Sequence, residues 1–168
     1  MAVYSIKRTQ KIPVSLEEAW NFFSNPANLQ AITPRKMGFR IISMHGEKMY
    51  AGQLIEYRLR PVLNIPLYWM TEITHVVDRK YFIDEQRFGP YSLWHHQHHF
   101  KEIPGGIEMT DIVHYKIPFW FLGDLANSLF VGRQLKGIFD YRFSKIEELY
   151  GKWPGAGGIK KTGGAACL

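Results

Sequence analysis

The stretch LWHHQHHFKEIPGGIEMTDIVHYKI, residues 93–117, decides the fold. Its Pro104-Gly105-Gly106 core is a turn signal, because glycine supplies the positive φ of tight turns and proline interrupts a strand. The runs on either side, 93–102 and 107–117, are rich in β-branched and aromatic residues and alternate in polarity, so each reads as a strand. So short a connection makes them antiparallel. Ile107, Met109, Asp111, Val113, Tyr115 and Ile117 share one face of the second strand, opposite Glu108, Thr110, Ile112, His114 and Lys116. The odd set is the apolar one and faces inward. By the same alternation Trp94, His96, His98 and Phe100 face inward on the first strand, opposed by Leu93, His95, Gln97, His99 and Lys101. Pairing through the turn brings residue 98 opposite 111–112, which predicts a contact between His98 and Asp111.

Working outward, strands are expected at 2–12, 38–44, 53–60, 67–78 and 81–88, separated by His45-Gly46, Ala51-Gly52, Asp78-Arg79 and Gly89-Pro90. Between the first two, Ser15-Leu-Glu-Glu18 is a capping box that starts a helix with Leu16, Ala19, Trp20 and Phe23 on one stripe. Asn25-Pro26 ends that helix and opens a second short one, closed by Pro34. After Pro118 the spacing turns helical through Leu122, Leu125, Leu129, Leu135, Phe139, Phe143, Ile146 and Tyr150, up to Gly151. Gly132 and Gly137 inside this helix imply either tight packing on the sheet or space left for a ligand. The plan is α+β: a curved antiparallel sheet of about seven strands wrapped on a long C-terminal helix, with two short helices after the first strand.

The 168-residue chain fits one domain, expected over 1–153, followed by a flexible Gly-rich tail over 154–168. With 46% hydrophobic and 15% aromatic residues it has ample material for a core, and disorder is excluded. Its formal charge of +6 invites a nucleic-acid reading, but the cations are scattered rather than clustered, so no nucleic-acid partner is expected. Cys167 is the only cysteine, which excludes an internal disulfide framework and favours a reducing compartment. It also lies too close to the C-terminus for a prenylation box. Neither a secretory leader nor a membrane-spanning run is visible, so a cytoplasmic protein without stable membrane insertion is expected.

The element order resembles the START-like (SRPBCC) superfamily, which includes pollen allergens, lipid-transfer domains and polyketide cyclases, and within it the bacterial ligand-binding branch. The resemblance runs from about residue 3 to 153 and is carried by PVSLEEAWNFFSNPANLQAITP at 13–34, WMTEI at 69–73, FGPYSLWHHQHHF at 88–100, and MTDIVHYKIPF with the following helix. It implies a helix-grip fold with a cavity between the concave sheet face and the long helix, for a hydrophobic or amphipathic molecule. No reaction is implied, since the superfamily hosts carriers and enzymes alike.

Alternation assigns the cavity wall: Tyr57, Trp69, Trp94, Phe100 and Tyr115 as apolar surface, with Thr71, and Phe139 from the helix. Ile55, Leu59 and Ile73 follow on the same faces, whereas in 81–88 both the set Phe82, Asp84, Gln86, Phe88 and its opposite are partly apolar. His96, His98 and Asp111 form the polar end, and three readings remain open for them. They are a self-satisfied structural cluster, an anchor for a ligand's polar group, or a site of proton transfer or metal binding. The last would make the domain a cyclase or lyase using the His–Asp pair; a partner-binding module with a vestigial pocket is the other alternative. His-x-His on one strand, with Asp111 as third donor, is too weak a spacing to assign a metal, so neither metal nor cofactor is expected. His95 and His99 read as solvated residues of the outer face.

Overall fold

The computed structural model describes residues 2–46, 48–60, 65–118 and 130–154. Seven strands form one antiparallel sheet: β1 (Tyr4–Ile12), β2 (Arg40–Met44), β3 (Gln53–Leu59), β4 (Leu67–Val77), β5 (Tyr81–Phe88), β6 (Leu93–Ile103) and β7 (Gly106–Lys116). Their order is β1-β7-β6-β5-β4-β3-β2, so β2 to β7 follow one another as a meander and β1 closes against β7. The long hairpin pairs His98 directly with Asp111, as its alternation predicts. Its turn requires glycine: Gly105 has φ of 90°, and a Cβ on Gly106 would strike the Ile12 carbonyl oxygen at the end of β1.

Register shifts between Ile41 and Ser43, between Met70 and Thr71, and between Ile73 and His75 bend the sheet. Each inserts an unpaired residue and sharpens the local twist, which makes one face concave. The shift at Met70 also decides the faces of β5, which alternation leaves open. Met70 pairs with Phe88 but Thr71 with Gln86, so Phe88 turns to the opposite face from Phe82 and Asp84, although all three are even positions. It is 62% exposed and packs on Tyr68, with ring centroids 5.5 Å apart.

Ser15 caps α1 (Leu16–Phe23) by accepting from the Glu18 backbone N–H at 3.2 Å. Asn25 Oδ1 likewise accepts from Ala27 N at 3.0 Å, and the expected second helix is a 3-10 turn, Pro26–Gln30, followed by another at Arg35–Met37. The C-terminal helix α2 is described over Gly132–Tyr150, about 28 Å of helix at 1.5 Å per residue. Leu122, Leu125, Leu129 and the tail beyond Pro154 lie outside the described residues. Leu135, Phe139 and Ile146 are its buried members. Gly137 is exposed, and a Cβ there would meet nothing within 4 Å, so tight packing on the sheet is not the reason for it.

Three apolar clusters result. Trp20 and Phe23 of α1 meet Phe82, Phe100 and Ile146; Leu135 and Phe139 meet Val113 and Tyr115; Met37 and Leu59 meet Trp69. No helix among the described residues is long and apolar enough to cross a membrane.

Candidate functional site

The space between these clusters is a cavity of about 200 Å³ bounded by the concave sheet face, the 3-10 turns and α2. Ile32, Ile55, Leu59, Ile73 and Leu135 supply aliphatic wall. One end is an aromatic corner: Tyr57 stacks on Trp69 with centroids 5.9 Å apart, and Trp94 meets Trp69 edge-on at 5.2 Å. Tyr91 completes it, 5.6 Å from Trp69 and 5.0 Å from Trp94. Edge and offset contacts of this kind add about 0.5–1.5 kcal/mol each to the area they bury. Thr71 satisfies the polar edges of the corner, its Oγ1 accepting from Trp69 Nε1 at 3.0 Å and sharing a hydrogen bond with Tyr57 Oη at 2.8 Å. Burial pushes the Tyr57 and Tyr91 phenols far above their ordinary values, so both stay neutral.

The other end is polar. Asp84 of β5 is the direct partner of His96 on β6, and His98 is the direct partner of Asp111 on β7, so strand pairing gathers the four side chains. The two imidazoles lie with centroids 3.8 Å apart, between the two carboxylates. His98 Nε2 donates to Asp84 Oδ2 at 3.0 Å, and His96 Nε2 to Asp111 Oδ1 at 3.2 Å. The remaining nitrogens cross over: His96 Nδ1 is 3.3 Å from Asp84 Oδ2, and His98 Nδ1 is 2.8 Å from Asp111 Oδ1. The second of these is out of line for a hydrogen bond, so His98 Nδ1 is held by charge alone. Phe82 stacks on the His98 ring at 4.1 Å and Phe139 approaches the His96 ring edge-on at 5.8 Å.

Burial works against charging any of these groups, and their mutual contacts decide the outcome. For Asp111, burial is overcome by the Arg142 guanidinium and the close contacts of both imidazoles, which hold the carboxyl well below the usual range. Asp84 is lowered against burial by His96, His98 and Arg142 together. His98 is raised, because its contacts with Asp111 and Asp84 outweigh burial. Burial and the neighbouring His98 charge lower His96 despite the carboxylates. The surroundings thereby favour a proton on His98 over one on His96, with Arg142 as a further positive charge facing the two carboxylates. Arg142 lines the cavity, and its Nε is buried without a hydrogen-bond partner.

Of the residues expected from the sequence, Tyr57, Trp69, Thr71, Trp94, His96, His98 and Phe139 line this cavity. Phe100, Asp111 and Tyr115 share the inward face but lie behind it: Phe100 packs on Trp20 at 5.4 Å, Tyr115 on Tyr4 at 5.6 Å, and Asp111 backs the imidazoles. Sequence reasoning missed Arg142 and Tyr91, and it left Asp84 undecided. Tyr91 sits in the loop after β5, which Gln86 clips by donating to Tyr91 O at 2.6 Å and accepting from Tyr91 N at 3.2 Å. The outer histidines are not simply solvated. His95 Nδ1 meets Glu85 at 2.9 Å, Gln97 donates to His95 Nε2 at 3.1 Å, and His99 Nε2 meets Gln97 Oε1 at 2.9 Å. A wider recess of about 800 Å³ adjoins the cavity, sharing Met37, Gln134 and Ile138 with it and carrying Lys36, Arg60 and Arg133.

No protein-family model matches the chain, and no curated protein matches it in sequence. Solved structures match it closely in shape. A protein from Thermus thermophilus is 13% identical with a TM-score of 0.68, over 86% of this chain and 94% of its own. One from Chromobacterium violaceum is 12% identical with a TM-score of 0.66, over 89% and 99%. A ginseng major latex-like protein from Panax ginseng is 11% identical with a TM-score of 0.63, over 89% and 99%. These likenesses are of fold, and the fold is the helix-grip.

Proposed function

We propose that this chain binds a small, mainly apolar molecule in the cavity between the sheet and α2, as a cytoplasmic START-like protein of the bacterial ligand-binding branch, with its domain over residues 1–153. The cavity itself carries the reading. An apolar space of about 200 Å³ with polar groups gathered at one end matches the usual division of labour in small-molecule sites, where wall gives affinity and a few polar atoms give orientation. The volume lies below the roughly 300–1,000 Å³ of drug-sized pockets, so the ligand has about one or two rings. The aromatic corner takes the rings, and Arg142, whose Nε is buried without a partner, takes an oxygen acceptor. Native mass spectrometry of the purified, untagged protein tests this: a stoichiometric apolar compound supports it, and a protein that carries none and takes up none from a cell extract contradicts it.

A second reading has an observation of its own. His96 and His98 are adjacent imidazoles at the cavity wall whose affinities for a proton are pushed in opposite directions, which suits a proton-transferring cyclase or lyase. Turnover of the bound compound, abolished in His96→Gln, distinguishes this from binding alone.

A further inference from the structure

We propose that Asp84, His96 and His98 form a divalent transition-metal site opening on the cavity, with Asp111 as its outer support. This goes beyond ligand binding and does not depend on it. One donor atom from each of the three residues lies within 4.8 Å of the others. The separations to the carboxylate are those of a ligand set. Imidazole nitrogen and carboxylate oxygen bind such ions at about 2.0–2.2 Å, which places neighbouring donors roughly 3.0–3.5 Å apart. His98 Nε2 and His96 Nδ1 stand 3.0 and 3.3 Å from the same Asp84 oxygen.

Hydrogen counting points to the same corner. Each imidazole turns one nitrogen to Asp84 and the other to Asp111, making four nitrogen-to-carboxylate contacts. Four N–H groups would need both buried imidazoles, with centroids 3.8 Å apart, to be charged at once, so at least one contact lacks a proton. A cation on the Asp84 side would take the place of protons there and leave the N–H of each ring on the nitrogen facing Asp111, His96 Nε2 in a hydrogen bond at 3.2 Å and His98 Nδ1 in charge contact at 2.8 Å. That is the outer-shell carboxylate arrangement that orients metal-bound histidines. Two further features fit. The donors sit on paired central strands, Asp84 opposite His96, so their spacing is set by the sheet. All three donors line the cavity, whereas Asp111 does not, which leaves the open coordination position facing the cavity. Two nitrogens and one oxygen suit zinc, cobalt(II) or iron(II), and the cavity-facing position would take water or an oxygen donor of a bound molecule.

Chelator-treated, untagged protein titrated with Co²⁺ alone tests the site. The expected result is one equivalent bound, with visible ligand-field bands, and the same bands in His95→Gln on the outer face. His98→Gln and Asp84→Asn should weaken binding by more than the roughly 10–100-fold expected for Asp111→Asn, whose side chain only supports the ligands. Should these variants fail to fold, Zn²⁺ added to wild-type protein must shift the imidazole nitrogen resonances of His96 and His98 while leaving those of His95 and His99. Less than about a tenth of an equivalent bound to wild type, or bands retained in folded His98→Gln, overturns the proposal.

Discussion

Thr71 Oγ1 accepts from the indole N–H of Trp69, two residues back along the same strand, while bonding the Tyr57 hydroxyl across to the next. Residues two apart on a strand share a face, so one small hydroxyl can satisfy two large aromatic groups at once. Thr71 is 3% exposed and Trp69 7%, so neither has water as an alternative. Thr71→Val keeps the shape and removes the hydroxyl. The expected cost is about 1–3 kcal/mol per orphaned group, read as a lower urea midpoint with unchanged slope, and Thr71→Ser should recover most of it. A Val variant as stable as wild type would show that the corner does not need the bond.

Asp111 supports two imidazoles and lies close to Arg142, so its carboxylate matters more than its volume. Asp111→Asn leaves buried cations underpaired and should cost about 3–5 kcal/mol by urea unfolding. A loss under about 1 kcal/mol would mean that the cluster contributes nothing to the folded state.

The cluster also gives stability a pH dependence, best measured in the presence of chelator. The carboxyls of Asp84 and Asp111 are depressed, so their contribution is present above the unfolded value of about 3.9 and is lost as pH falls through their folded values. His96, also depressed, adds to the loss as pH falls below about 6.5. His98 is raised, so its contribution is complete below about 6.5 and is lost as pH rises through its folded value. The melting-temperature advantage of wild type over His98→Gln should therefore shrink as pH rises above about 6.5. A constant or widening difference would contradict the assigned protonation.

The glycine of the long turn and the glycine of α2 should behave oppositely. Gly106→Ala drives a methyl into the Ile12 carbonyl where β1 ends and should cost more than about 1 kcal/mol. Gly137→Ala meets nothing within 4 Å and should stabilise the helix by about 0.5–1 kcal/mol. Chemical denaturation of both variants checks the pair, and destabilisation by Gly137→Ala would reveal a requirement for the bare backbone there.

What could be read from the residues follows the reach of alternation. It placed β6 and β7 face by face and paired His98 with Asp111, because a long hairpin with one apolar face has a single sensible register. It could not decide β5, where both faces are partly apolar and the shift at Met70 reverses parity before Phe88. Alternation therefore leaves Asp84 undecided, although it completes the cluster. Parity also reports a face and not a depth, so Phe100 and Tyr115 looked like cavity wall while packing into solid clusters beside it. Tyr91 lies in a loop and Arg142 among the polar positions of a helix, where no period marks a residue as inward.

The account stands on a space that an apolar molecule can enter, and calorimetric titration with 1-naphthol against wild type and Ile55→Phe addresses it most directly. Ile55 is 5% exposed at the cavity wall, and the larger ring should fill space while costing about 1–3 kcal/mol of stability. Wild type should bind one equivalent with a negative heat-capacity change, and the filled variant should bind at least about tenfold more weakly. Absence of saturable binding to wild type, or equal affinity in the two proteins, would contradict the account.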